Sequence, residues 1–230
     1  MRVNRVGVAS GQGRIFGTDG PDSILGLGGD EEIFGQEGDD VVCAGGGNDT
    51  FVGRDIPVSD DGKDEVLGES GDDVLLGGSN DDVLSGGPGN DQLFGEEGND
   101  SVSGDDGPDE LFGGPGDDHL TGGAGNDMAS GEEGRDVLLD AAGNDVLRGG
   151  PDNDDLASGP GKDSLFGDDG NDVAAGGSKN DRLKGGTGKD KLKGQGGKDR
   201  LAGQKGRDRC AGGPDKDRAN RSCEKTSGVP

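Results

Sequence analysis

The chain has 230 residues, of which 54 are glycine and 26% are apolar, with no Trp or Tyr and a formal net charge of −26. So little apolar surface offsets the conformational entropy of folding only weakly, which excludes an ordinary globular core. No apolar run approaches the roughly 20 residues of a membrane-crossing helix, so a helical span is excluded as well.

Taken from its start, the stretch MRVNRVGVASGQGR carries two early arginines, Arg2 and Arg5, with no apolar segment behind them. It does not read as a complete secretory signal, and residues 1–16 are expected to form an N-terminal cap or a degenerate repeat. From Gly17 to Asn220 the chain keeps a nine-residue register, interrupted once by the six residues IPVSDD at 56–61. Twenty-two units follow one another, and position 6 is Asp in all of them except the second, where it is Glu31. Position 4 is Gly in eighteen units, the exceptions being Asn80, Asp152, Lys179 and Asp215. Position 8 is apolar or small throughout, from Ile24, Ile33 and Val42 to Leu201, Cys210 and Ala219. A disordered Gly- and Asp-rich tract does not hold phase over such a length.

Each unit explains itself physically. Positions 1–6 are turn residues, with glycines supplying positive φ and close approach of the backbone. Positions 7–9 make a short strand in which alternation points position 8 inward and positions 7 and 9 outward. One inward side chain per nine residues cannot hold a unit alone, so the units must stack into a solenoid of short parallel strands.

Units such as GGPGNDQLF (86–94), GGAGNDMAS (122–130) and GGTGKDKLK (185–193) have the pattern G-G-x-G-x-D-x-U-x. The chain therefore resembles the RTX, or hemolysin-type, calcium-binding nonapeptide repeats over about nine tenths of its length. The resemblance implies an all-β fold, a right-handed parallel β-roll with two nonapeptides per turn, about eleven turns, and calcium ions held between turns on both edges. One edge would carry Asp22, Asp40, Asp64, Asp82, Asp100, Asp118, Asp136, Asp154, Asp172, Asp190 and Asp208. The other would carry Glu31, Asp49, Asp73, Asp91, Asp109, Asp127, Asp145, Asp163, Asp181, Asp199 and Asp217.

Calcium takes about 6 to 8 oxygen ligands, so each site is expected to combine aspartates from stacked turns with loop carbonyls such as those of Gly86, Gly89, Gly113, Gly116, Gly122 and Gly125. Carboxylates stacked about 5 Å apart repel without a cation between them, which makes calcium binding a source of folding free energy. The alternative is that the aspartates serve only as turn formers. Weaker binding is expected around Lys179, a poor substitute for a positive-φ glycine, and around the longer Glu31.

Charge divides unevenly: residues 1–175 hold 8 Lys and Arg against 42 Asp and Glu, and residues 176–230 hold 15 against 7. The basic end either relieves carboxylate repulsion or meets an anionic surface; nucleic acid is not expected as a partner. Position 9 on the second edge reads Phe34, Val52, Leu76, Phe94, Phe112 and, later, Phe166. This is either a docking or self-association face, or a partly buried stripe.

The three cysteines are Cys43, Cys210 and Cys223. Cys210 sits in the penultimate unit and Cys223 just beyond the last, so a disulfide between them would pin the C-terminal cap and tail, 221–230. Cys43 would remain a free thiol. The single histidine, His119, falls at an outward strand position with no nucleophile beside it, and no catalytic site is expected. Two readings remain: a secreted, extracellular calcium-binding repeat protein that folds when it meets the ion, or the repeat module of a larger secreted adhesin, toxin or hydrolase.

Overall fold

The computed structural model describes residues 4–7, 13–53, 62–219 and 222–225, and every regular element in it is a β-strand. The insertion at 56–61 lies outside the described residues. The chain divides into two compact units, Met1–Gly116 and Asp117–Pro230.

Each unit consists of two parallel sheets, and successive strands alternate between them. In the first unit, one sheet contains Asn4–Gly7, Asp22–Leu25, Val41–Gly46, Glu65–Ser70, Val83–Pro88 and Ser101–Asp106. The other contains Gly13–Phe16, Glu31–Phe34, Thr50–Val52, Val74–Ser79, Gln92–Glu97 and Glu110–Pro115. Leu75 pairs with Leu93 and Leu93 with Leu111, so two nonapeptides make one turn. Val42 pairs with Val66, across the insertion, and the strand order is unchanged. Added length in a loop therefore leaves the inward residues in register. The second unit repeats the arrangement from His119–Ala124 and Met128–Glu133 to Cys223–Lys225 and Arg218–Ala219. The chain thus forms parallel β-solenoid structure with about eleven turns in all.

The core is the position-8 column. Ile33, Phe51, Leu75, Leu93 and Leu111 in the first unit are wholly buried, as are Leu120, Leu138, Leu147, Leu165 and Leu183 in the second. Two such side chains per turn are few, and backbone ladders between turns join them. The N–H of Gln92, for example, donates to the carbonyl of Asp73 at 2.9 Å, and that of Arg200 donates to Asp181 at 2.9 Å. These ladders satisfy main-chain groups that burial would otherwise leave costly.

Some strands, such as Thr50–Val52 and Val173–Ala175, span positions 7–9 as expected, and others are longer. Gln92–Glu97 and Ser101–Asp106 run on through the first three residues of the next unit. The extension is compatible with pairing because position 2 takes a left-handed backbone, as at Glu96 (φ 74°), Glu132 (φ 76°) and Gln204 (φ 73°). Glycine is the usual occupant of such a conformation, and its absence at these positions hid the feature in the sequence.

Position 7 is mostly exposed and position 9 mostly half-buried. His119 is exposed at the start of its strand. Phe94 and Phe112 stack with ring centroids 5.1 Å apart, and Phe16 and Phe34 do so at 4.9 Å. Phe166 is flanked by the Arg148 guanidinium at 5.1 Å and the Lys184 ammonium at 4.8 Å. The stripe is therefore partly covered by its own neighbours along the stack.

At the C-terminal end, Cys223–Lys225 adds a strand beside Asp208–Ala211. Cys210 and Cys223 are joined in a disulfide, with Cα atoms 5.5 Å apart, and Cys43 is free. The tail thus begins as sheet. At the other end, Asn4 pairs with Asp22 and Gly13 with Glu31, so the strands before residue 17 follow the repeat register without its position-6 carboxylate.

Candidate metal centre

Position 6 opens the strand at Asp22, Glu31 and Asp208 and stands immediately before it in the other units. All twenty-one aspartates of this position and Glu31 are buried, none more than 2% exposed. Carboxylates are almost never buried without a partner, and their partners here come from the stack itself. The N–H of Asp22 donates to Oδ1 of Asp40 at 2.9 Å, Asp40 to Asp64 at 2.9 Å, Asp64 to Asp82 at 2.8 Å and Asp82 to Asp100 at 2.8 Å. On the opposite edge of the first unit Glu31, Asp49, Asp73, Asp91 and Asp109 form the same chain of bonds. In the second unit one ladder runs from Asp118 through Asp136, Asp154, Asp172 and Asp190 to Asp208. The other runs from Asp127 through Asp145, Asp163, Asp181 and Asp199 to Asp217.

This bond uses one carboxylate oxygen. The other, Oδ2, is buried without a hydrogen-bond donor at Asp40, Asp73, Asp91, Asp136, Asp154, Asp172 and Asp181, among others. Burial pushes the carboxyls of Asp40, Asp73, Asp154 and Asp181 up to about 7, against 3.8 for an ordinary aspartate. It pushes Asp91, Asp136, Asp172 and Asp190 to about 6. The main-chain donor opposes the rise in each, and neighbouring carboxylates add to it. Glu31, Asp49, Asp163 and Asp199 are raised as well, with burial again the leading cause.

Position 1 makes room for these oxygens. A Cβ added at Gly77 would lie 2.6 Å from Oδ2 of Asp82 and 2.8 Å from the carbonyl oxygen of Gly95, one turn on. The same test at Gly68 meets Asp73 and the Gly86 carbonyl, and at Gly95 it meets Asp100 and the Gly113 carbonyl. Carboxylate and carbonyl oxygens thus converge on a cradle that glycine leaves open in these turns. Position 4 works differently. There the glycines pack against carbonyls of the preceding turn: Gly107 on Gly89, Gly116 on Gly98, Gly143 on Gly125. The carbonyls of Gly89 and Gly125 therefore lie along the stack, while those of Gly86 and Gly113 lie beside the carboxylates. Gly122 borders Oδ2 of Asp127.

Lys179 adopts the left-handed backbone of its position (φ 91°), as do Asn80 (φ 78°) and Asp152 (φ 84°). Lys179 thus keeps a positive φ, smaller than the 152° of Gly170 and the 140° of Gly188 at the same repeat position. Asp215 takes another role, accepting the N–H of Gly197 at 3.0 Å.

Two features escape a reading of the repeat. Position 5 forms an exposed outer ladder: the N–H of Asn90 donates to Oδ1 of Asp72 at 2.9 Å, that of Asn99 to Asp81 at 3.0 Å and that of Asn171 to Asn153 at 2.8 Å. The signal was the preference for Asn and Asp at that position. The second is Asp140, an acid at a position-1 site. It is grouped with Asp127 and Asp145, one carboxylate oxygen from each lying within 4.8 Å of the others. Burial and the neighbouring Asp145 and Asp127 push its carboxyl up to about 7.

The donors gathered at these cradles are all hard oxygens, the ligand class of calcium rather than of softer metals. Buried oxygens lacking donors, beside carbonyls in a space closed to a methyl group, fit a small hard cation. No helix among the described residues is long and apolar enough to cross a membrane. No curated protein matches the chain. A family model, the RTX calcium-binding nonapeptide repeat in four copies, matches residues 11–54, 58–93, 94–129, 103–138, 130–165, 139–174, 166–201, 175–210 and 185–218, in partly overlapping segments. With the repeat register, the two-nonapeptide turn and the buried aspartate ladders agreeing with that match, the chain belongs to the RTX calcium-binding nonapeptide-repeat family.

Proposed function

We propose that this chain binds many calcium ions along both edges of its turns, that binding drives its folding, and that it works outside the cell, where the ion is abundant. The ligands are the position-6 aspartates from Asp22 to Asp208, joined by loop carbonyls such as those of Gly86 and Gly113. The observation that carries this reading is the buried Oδ2 with no donor, repeated turn after turn at Asp73, Asp91, Asp154 and Asp172. A buried anion without a partner is costly, and a cation shared between adjacent carboxylates removes that cost in every turn. Because the sites exist only when turns are stacked, metal affinity becomes folding free energy. The activity is binding rather than catalysis; His119 is exposed, and the clustered acids follow the repeat.

Equilibrium dialysis against calcium, with magnesium in parallel, tests the reading. Many calcium ions bound per chain and few magnesium ions are expected, because magnesium demands tighter octahedral geometry and keeps its waters. Binding of only one or two calcium ions would refute it.

A further inference from the structure

We infer that the turn containing Asp140 is a calcium site of a different class, with three carboxylates where the repeat provides two; the inference rests on the calcium reading above. Position 1 is glycine in all but three units, the exceptions being Ala44, Asp140 and Ser158. Only Asp140 brings a charge into the cradle. Its Oδ2 and that of Asp127 face the same point, lying 2.7 Å and 2.9 Å from where a Cβ on Gly122 would stand. The carboxylate is held there, because its Oδ1 accepts the N–H of Ala141 at 2.6 Å. The segment is held too, since Asp140 donates its own N–H to Ala157 at 2.9 Å and Ala142 donates to Gly123 at 3.0 Å.

A second observation points to a ligand. Asp145 is 1% exposed, its Oδ1 accepts the N–H of Asp127 at 3.1 Å, and its Oδ2 has no donor from the protein. Asp127, Asp140 and Asp145 thus direct oxygens at one another within 4.8 Å, an arrangement that repulsion opposes unless a cation or a shared proton lies between them. One turn further on, Ser158 fills the equivalent position, but its hydroxyl donates to the carbonyl of Gly176 at 2.8 Å and brings no charge. The extra charge is therefore confined to a single turn.

Calcium affinity rises with ligand charge and with rigidity of the site. The Asp140 site is expected to load first, at about tenfold or more lower free calcium than the two-carboxylate turns. It also favours a trivalent lanthanide more strongly than they do.

Isothermal titration calorimetry with calcium, on the wild-type chain and on Asp140→Gly and Asp140→Asn, tests this. Asp140→Gly restores the repeat residue, and Asp140→Asn keeps the size while removing the charge. Circular dichroism at saturating calcium checks that both variants fold. The wild type is expected to show one tight class ahead of the main transition, lost in both variants while the main transition persists. A tight class retained in either variant, or absent from the wild type, overturns the inference and leaves the calcium reading standing. No calcium binding by the wild type overturns both.

Discussion

The main-chain N–H of Asp73 donates to Oδ1 of Asp91 across 2.8 Å, while Oδ2 of each carboxylate is buried without a donor. Each aspartate is thus half satisfied by the turn beside it, and the other half needs a cation or a proton. Burial raises Asp73 to about 7 and Asp91 to about 6, against 3.8 for an ordinary aspartate. The folded state then holds more protons than the unfolded chain between about pH 4 and pH 7, so its stability falls as pH rises through that window. In chelator, strand signal is predicted to grow on lowering the pH from about 8 to about 5. A signal in chelator that stays flat or declines over that range would contradict the proton's role as a substitute for the metal.

Glycine at position 1 and lysine at position 4 should respond in opposite ways to substitution. A Cβ at Gly95 collides with Asp100 and stands 2.6 Å from the Gly113 carbonyl. Gly95→Ala is therefore expected to cost about 1–3 kcal/mol and to weaken the calcium response. Lys179 holds a left-handed φ of 91°, which is costly for a residue with a Cβ. Lys179→Gly is expected to gain about 1 kcal/mol. Thermal unfolding in saturating calcium checks both, and a neutral Gly95→Ala would mean that the cradle is not as tight as described.

The stacked rings of Phe94 and Phe112, 5.1 Å apart, account for part of the apolar stripe without a partner. Replacing both with Ser is expected to lower stability by about 1 kcal/mol or more, through lost stacking and burial. Mass and solubility in calcium, measured by light scattering on the same samples, are expected to stay unchanged. A larger assembly in the wild type that the double variant abolishes would instead mark the stripe as a self-association face.

The nine-residue register, the inward column at position 8 and the aspartate ladders were legible because each depends on a residue type fixed at one position. Leu93 could face only the interior, and Asp91 belongs to an acid column that recurs every nine residues. The two-nonapeptide turn came from resemblance, since periodicity alone shows nine residues and not eighteen. Sequence did not reveal that strands continue through position 2, because Glu96 and Glu132 are ordinary residues in an uncommon conformation. Weaker calcium binding was expected around Lys179, whose backbone keeps the positive φ found at Asn80 and Asp152. Asp140 was lost among the acids of the loops because its meaning lies in its position, where nearly every other unit has glycine.

The most direct test is a calcium titration of the metal-free chain at neutral pH, followed by far-UV circular dichroism, with magnesium as the control. The account predicts a cooperative gain of β-strand signal in calcium and little change in magnesium, because the stacked carboxylates cannot stay buried and charged without a fitting cation. A chain already fully folded in chelator, with no response to calcium, would contradict it.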